Sequence, residues 1–411
     1  MNAGLPKLSQ LEPLSLPPPL PAPAKPVSET ERIQTLDVLR GVALFGILFV
    51  NIQDFAMVPD ARYDPAISGG GGLVNELVWL GTFVFADTKF LAIFTVLFGA
   101  GIALADRRRR AKDERRALAY HRRLIFLLLL GLAHSVLVWR GDILYYYAFW
   151  ALALYFAPRI PTPILFGAGG LFFGLYSVQI GKSLMLFRGI YSWISVEVYR
   201  GSWREQVAWR LEHFVFDTAL VPFQYAFHLL GLMMIGMALL KCGFLEGRYP
   251  TRTYVALFLT VFPGGLLLVY MGTKFQPGFE SFAHTEAFFW GSAYLSLAYM
   301  GAAVSASKLA PKSWPTRAVA AVGRMALTNY LMHSVICTTI FYGYGFGFYE
   351  NLDRTGQLGT VVAICLAQLI ISPLWLKAYR YGPFEWLWRS VTYWRWQPIR
   401  RSKPTPPAES V

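Results

Sequence analysis

The sequence predicts an all-α protein: a polytopic membrane bundle of about ten transmembrane helices, with both termini in the cytoplasm. Three observations carry this. Only 15% of the 411 residues are charged and 55% are hydrophobic, where a soluble chain carries about 25% charge. Repeated apolar runs reach or approach the ~20 residues that cross a bilayer as a helix. Most of the 38 Lys and Arg residues gather on one side of those runs, the side that holds the N-terminus, and a basic excess marks the cytoplasmic face.

The elements follow in order. Residues 1–31 are Pro-rich, with LPPPLPAPAKP at their centre, and read as a disordered cytoplasmic tail. Residues 32–395 form the membrane domain, and 396–411 a disordered basic tail. The expected spans are 37–56, 88–105, 123–139, 143–159, 162–180, 222–241, 252–272, 287–307, 318–342 and 358–376. The segment 73–86 is either a separate interfacial helix or an extension of the second span. The stretch 181–221 mixes Trp, Tyr and Phe with Arg and Glu. It suits helices lying at the outer interface, as membrane anchor or as a cover over a site. The Trp-rich basic piece YRYGPFEWLWRSVTYWRW after the last span reads as an inner-leaflet belt.

Composition narrows function by exclusion. The net charge of +14 is explained by topology, so nucleic acid is not an expected partner; membrane lipids are. Cys242, Cys337 and Cys365 lie in or beside apolar runs, a setting for neither a disulfide framework nor a metal site. No metal is expected. There is no Walker A loop and no Gly-x-Ser-x-Gly elbow. Gly99 and Gly101 read as close helix packing.

Polar residues inside the spans are the functional signal, because each costs free energy in hydrocarbon. In LDVLRGVALFGILFVNIQDF, Arg40 and Asn51 leave one helical face about 16 Å apart along the axis. Asp54 follows near that face. Asp87 and Lys89 open the second span, His134 lies in the third, and Arg140 and Asp142 mark the turn after it. His228 lies in the sixth, and Arg324, Asn329 and His333 in the ninth. Most of these fall in the outer half, which suggests a shared, water-accessible chamber. Duller readings stand beside this one. His134, His228 and His333 suit hydrogen bonding between helices, Asp87 and Lys89 an ion pair, Asp142 a helix cap, and Arg324 snorkelling.

The stretches LDVLRGVALFGILFVNIQDF, FADTKFLAIFTVLFGAGIAL, RRLIFLLLLGLAHSVLVWRGDILYYYA, GRMALTNYLMHSVICTTIFYGYGFG and LIISPLWLKAYRYGPFEWLWRSVTY resemble, in matching order, the bacterial YeiB-type membrane protein family. The C-terminal half of that family is a domain of unknown function. The resemblance implies a multi-pass protein of the bacterial cytoplasmic membrane. The first span is also similar to that of a wider transmembrane acyltransferase superfamily, which carries acyl groups from cytoplasmic acyl-CoA to sugars across the membrane. Arg40, Gly41 and Asn51 match its Arg-Gly and Asn. The loop VPDARYDP holds no His at the superfamily's catalytic position, so His134 would have to serve from another helix.

Two functions follow as expectations. The first is acyl transfer to an acceptor at the outer face, a glycan or a lipid-linked molecule. His134 would be the general base, Asp142 or Asp87 its orienting carboxylate, and Asn51 the oxyanion donor. Arg40 and Arg324 would meet the phosphates of acyl-CoA, and Asp54, Lys89, Asn329 and His333 would line the substrate path. The second is a non-enzymatic permease for a small solute, using the same polar residues.

Overall fold

The computed structural model describes residues 33–107, 114–186, 196–219, 221–273 and 282–401. The expected N-terminal tail, residues 402–411 of the C-terminal tail, part of the basic loop after Arg107 and residues 187–195 of the outer stretch lie outside the described residues. Among the described residues every regular element is a helix: α1 (Gln34–Ala56), α2 (Leu73–Phe85), α3 (Lys89–Arg107), α4 (Glu114–Leu137), α5 (Leu144–Ala153), α6 (Thr162–Leu186), α7 (Val196–Arg200), α8 (Trp203–Glu212), α9 (Phe214–Ala219), α10 (Val221–Gln224), α11 (Ala226–Lys241), α12 (Thr251–Thr273), α13 (Phe282–Leu309), α14 (Trp314–Arg324), α15 (Ala326–Phe341), α16 (Arg354–Ala378) and α17 (Pro383–Tyr393).

Six segments are long and apolar enough to cross a membrane: Gln34–Ala56, Leu73–Arg107, Ala117–Leu137, Thr251–Thr273, Thr285–Leu309 and Arg354–Ala378. This is the composition of a membrane protein. The other expected spans fall on helices too: 162–180 on the 25-residue α6, the rest on shorter or divided ones. Helix α5 has 10 residues and α11 has 16. The expected span 318–342 is broken at Met325 into α14 and α15.

That break has a physical cause. A helix start leaves amide N–H groups without carbonyl partners. Here Glu385 of α17 supplies the acceptor: its Oε1 takes hydrogen bonds from Leu327 N (2.7 Å) and Thr328 N (3.1 Å), and its Oε2 takes one from Thr328 Oγ1 (2.6 Å). A carboxylate at a helix N-terminus also complements the helix dipole. The C-terminal helix is thereby pinned to the start of α15. A second break separates α2 from α3, where Thr88 takes the left-handed conformation (φ 63). The segment 73–86 is therefore a helix of its own.

Helix α1 is the central post. It packs against α3, α13, α14, α15 and α16, and most of its length is buried. Helix α11 packs against α3 and α6, α12 against α13, and α4 against α5 and α17. The α3–α11 contact is close because Gly99 lies against the backbone of Met233, and Gly236 against that of Val96. A Cβ at either glycine would strike a carbonyl oxygen, so the expected small-residue packing holds at Gly99; at Gly101 a Cβ would meet nothing within 4 Å, and that glycine is not part of the contact. The largest core cluster joins α1, α3, α5 and α11.

Candidate functional site

At the end of α4 the chain turns tightly into α5. Gly131 permits this turn, since a Cβ there would press on Tyr145 N and on the Asp142 carboxylate. The turn places Asp142 beside His134. Their Nδ1 and Oδ2 atoms are 2.7 Å apart, and both side chains are buried. The other oxygen of Asp142 accepts from Leu144 N (2.7 Å) and Tyr145 N (3.4 Å), at the start of α5. Asp142 is thus a helix cap and the partner of His134 at once. Tyr330 of α15 completes the group. Its hydroxyl donates to Asp142 Oδ2 (3.4 Å) and accepts from Ile143 N (3.3 Å), and its ring centroid lies 5.9 Å from that of His134. His134 Nε2 is buried and has no hydrogen-bond partner among the described residues.

Tyr330 has a second face. Together with Leu144 it lines a cavity of about 440 Å³ that extends toward the Arg40 end of α1. This volume lies within the range of small-molecule sites. Four arginines from four helices line it: Arg40 (α1), Arg123 (α4), Arg324 (end of α14) and Arg389 (α17). All four are half-buried. Arg40 Nη1 is 3.0 Å from Asp37 Oδ1, Arg123 lies over the Trp388 ring (4.4 Å), and Arg389 lies over Tyr381 (4.6 Å). Phe94, Leu97, Phe98 and Leu127 form apolar wall. The lining is therefore both cationic and apolar, and two of its residues touch the His134–Asp142 pair: Tyr330 through its hydroxyl and Leu144 through its N–H, both to Asp142.

The remaining sequence candidates sort into other groups. Asp54 and Asp87 both bind Arg62. Arg62 Nη1 is 3.1 Å from Asp54 Oδ2, while its Nε and Nη2 grip the two oxygens of Asp87 at 3.1 and 2.6 Å. Asp87 is therefore held by Arg62 and contacts neither Lys89 nor His134 in an ion pair. Lys89 is fully buried, donates to Phe83 O (3.2 Å) and faces the Phe288 ring at 4.3 Å. Asn329 and His333 belong to an α15–α16 network: His333 Nε2 meets Gln368 Oε1 (3.0 Å), and Asn329 Nδ2 donates to Val322 O and Ser372 Oγ (both 3.1 Å). Asn51 is half-buried on α1, and no hydrogen bond joins it to the His134–Asp142 pair. His228 packs against the Phe173 and Tyr176 rings. Among the described residues no three His, Cys, Asp or Glu side chains cluster as metal ligands.

Sequence reasoning did not single out Tyr330, Arg123 or Arg389. Arg123 and Arg389 fall in basic stretches that the expected membrane topology already accounts for. Tyr330 follows Asn329 directly, but tyrosine is common in this chain, with 22 copies.

Residues 239–395 match the model of a family described as protein of unknown function, DUF418. The chain is 31% identical to YxaH of Bacillus subtilis, across 92% of this chain and 98% of that protein. It is 33% identical to YeiB of Escherichia coli, across 88% of this chain and 96% of that one. A 39.9 kDa protein from Bacillus acidopullulyticus is 28% identical across 92% of this chain.

Proposed function

From the premise that the chain belongs to the DUF418 family of YeiB and YxaH, we propose that it is a membrane acyltransferase. It takes an acyl group from cytoplasmic acyl-CoA and delivers it to a glycan or lipid-linked acceptor reached from the other face. In this reading about ten helical segments cross or enter the cytoplasmic membrane, with both termini inside. The observation that carries the reading is the meeting of two features at Tyr330. On one side is a cavity rimmed by four arginines; on the other is a buried His134–Asp142 pair whose His134 Nε2 has no partner.

The cavity suits the donor. Guanidinium groups bind phosphates with paired, charge-assisted hydrogen bonds, and Arg40, Arg123, Arg324 and Arg389 would hold the phosphates. The apolar wall of Phe94, Leu97, Phe98 and Leu127 would take the pantetheine arm and acyl chain. The thioester supplies an activated acyl group. Asp142 accepts the Nδ1 proton of His134, which fixes the tautomer and leaves Nε2 as the base. His134 then takes the proton of the acceptor hydroxyl as its oxygen attacks the thioester carbon, and returns it to the departing thiolate. Asn51 remains the candidate oxyanion donor. Asp54, Asp87 and Lys89 have no step here, and Asn329 and His333 hold α15 to α16.

The test is full-length protein in proteoliposomes given labelled acetyl-CoA. Thioester consumption should fall about 10²–10⁴-fold in His134→Ala, the usual contribution of a general base. Unchanged turnover in that variant removes His134 as the base. Solute uptake with no thioester consumption replaces the enzyme with a permease.

A further inference from the structure

A second group of buried polar atoms lies beyond the far end of α4, outside the donor cavity. Helix α8 starts with a capping box between Ser202 and Glu205, and its Trp203 Nε1 donates to Leu137 O (2.8 Å) at this end of α4. In its last turn Arg210 is buried, with 4% exposure. Its Nη1 donates to Val138 O at 2.7 Å, while Nε and Nη2 are buried and have no hydrogen-bond partner. No carboxylate pairs with it among the described residues. Its electrostatic neighbours are the phenols Tyr342, Tyr199 and Tyr344. Tyr342 and Tyr349 are each 0% exposed, and each hydroxyl lacks a partner. The Tyr199 ring binds this set together, 4.9 Å from Tyr342 and 4.7 Å from Tyr349.

A structural role explains part of this. A cation beside the last carbonyls of a helix is favourable, and Val138 O lies in that position. That accounts for one N–H group. It leaves a buried guanidinium without a counter-charge, a state proteins avoid because the desolvation is uncompensated. Burial accordingly lowers the Arg210 pKa from its ordinary value. Every unpartnered guanidinium atom is a donor, and both phenols have donors to give. Such a set is complementary to an oxyanion.

We propose that Arg210 and Tyr342, with Tyr349 packed edge-on to Tyr342 (6.2 Å between ring centroids), form a binding site for an oxyanion, a carboxylate or phosphate, carried by the acceptor. The link to an acceptor rests on the acyltransferase reading; the anion site itself does not. The placement fits. Val138 N bonds His134 O, so the carbonyl that anchors Arg210 is one helical turn, about 6 Å, from the catalytic candidate. Trp139 packs in the same cluster as the three tyrosines. An acid group held here would leave neighbouring hydroxyls of the same molecule on the His134 side.

The experiment is thermal unfolding of the full chain in zwitterionic nanodiscs, followed by intrinsic fluorescence. The probes are sodium glucuronate, inorganic phosphate and, separately, nanodiscs containing phosphatidylglycerol, with chloride at matched ionic strength as control. The expected result is a saturable rise in Tm with at least one probe, and the responding probe identifies the oxyanion's source. In Arg210→Met and in the double variant Tyr342→Phe, Tyr349→Phe the midpoint should move by about 30-fold or more, as for truncation of a buried charge pair. No rise beyond chloride with any probe overturns the site. So does a rise that both variants retain. Should Arg210→Met not fold, the double phenylalanine variant decides alone, because it removes only the two hydroxyls. Acetyl-CoA binding to the same samples reports on the donor cavity independently, so loss of this site leaves the acyltransferase reading standing.

Discussion

Asp142→Asn separates a catalytic His134–Asp142 pair from a merely structural one. The carboxylate has two jobs on two oxygens. Oδ1 holds the start of α5 through Leu144 N at 2.7 Å, and Oδ2 holds His134 Nδ1 at 2.7 Å. Asparagine keeps one oxygen, so the helix cap survives with its acceptor in place. The amide nitrogen then faces His134 and presents a donor where Nδ1 needs an acceptor. To avoid opposed donors the imidazole must carry its proton on Nε2, which abolishes the base. The stability loss should be modest, about 1–2 kcal/mol for an exchanged buried hydrogen bond. The turnover loss should be large, about 10³–10⁴-fold, as in other His–Asp pairs forced into the wrong tautomer. Asp142 does not line the donor cavity, so acetyl-CoA affinity should stay within about twofold, well under 1 kcal/mol. The assay is acetyl-CoA turnover in proteoliposomes, with equilibrium binding measured in parallel. Turnover within about threefold of wild type, a barrier change under 1 kcal/mol, would refute the assignment and leave Asp142 as a helix cap.

Glu385 offers a pH test. Burial pushes its pKa above the ordinary 4.5, against the opposing pull of its bonds from Thr328 and Leu327. The folded state therefore holds the proton more tightly than the unfolded one. That contribution is complete below 4.5 and is lost as pH rises through the folded value. Glu385→Gln should flatten the fall in Tm above this point; parallel curves for variant and wild type would rule the linkage out. Gly99→Ala places a methyl against the Met233 carbonyl and should destabilise by about 1–3 kcal/mol, as overpacking does; a wild-type Tm would mean that α3 and α11 are not in close contact.

What the sequence disclosed, and what it hid, depends on distance along the chain. The His134–Asp142 pairing spans eight residues and one turn, and it was legible as a polar pair flanking a helix end. Arg40 and Arg324 were legible as intrusions into apolar runs, and both line the cavity. The break at Met325 was not. The span 318–342 reads as continuous because the acceptor for its freed amides is Glu385, 58 residues away from Leu327. The Asp87–Lys89 pair suggested by proximity is not formed. Lys89 donates instead to Phe83 O, and Asp87 is held by Arg62, 25 residues earlier. A bidentate guanidinium is the stronger partner for a buried carboxylate.

The cavity also shows why positive-inside counting concealed part of the proposed donor site. Arg123 and Arg389 are each accounted for by the expected topology alone, because a basic residue near an expected cytoplasmic helix end needs no further role. What topology does not explain is convergence. Four helices distant in sequence turn their arginines toward one space, and like charges in a confined volume repel unless something neutralises them. Asp37 offsets Arg40, and Glu385, the other acid on the wall, already accepts three hydrogen bonds from α15. Two of the arginines lie on aromatic rings, contacts that hold a guanidinium in place without cancelling its charge. Guanidinium groups on the wall suit an anionic guest, and the apolar residues beside them suit a guest whose other end is apolar. On this argument the cavity, read as the proposed donor site, suits an amphipathic anion.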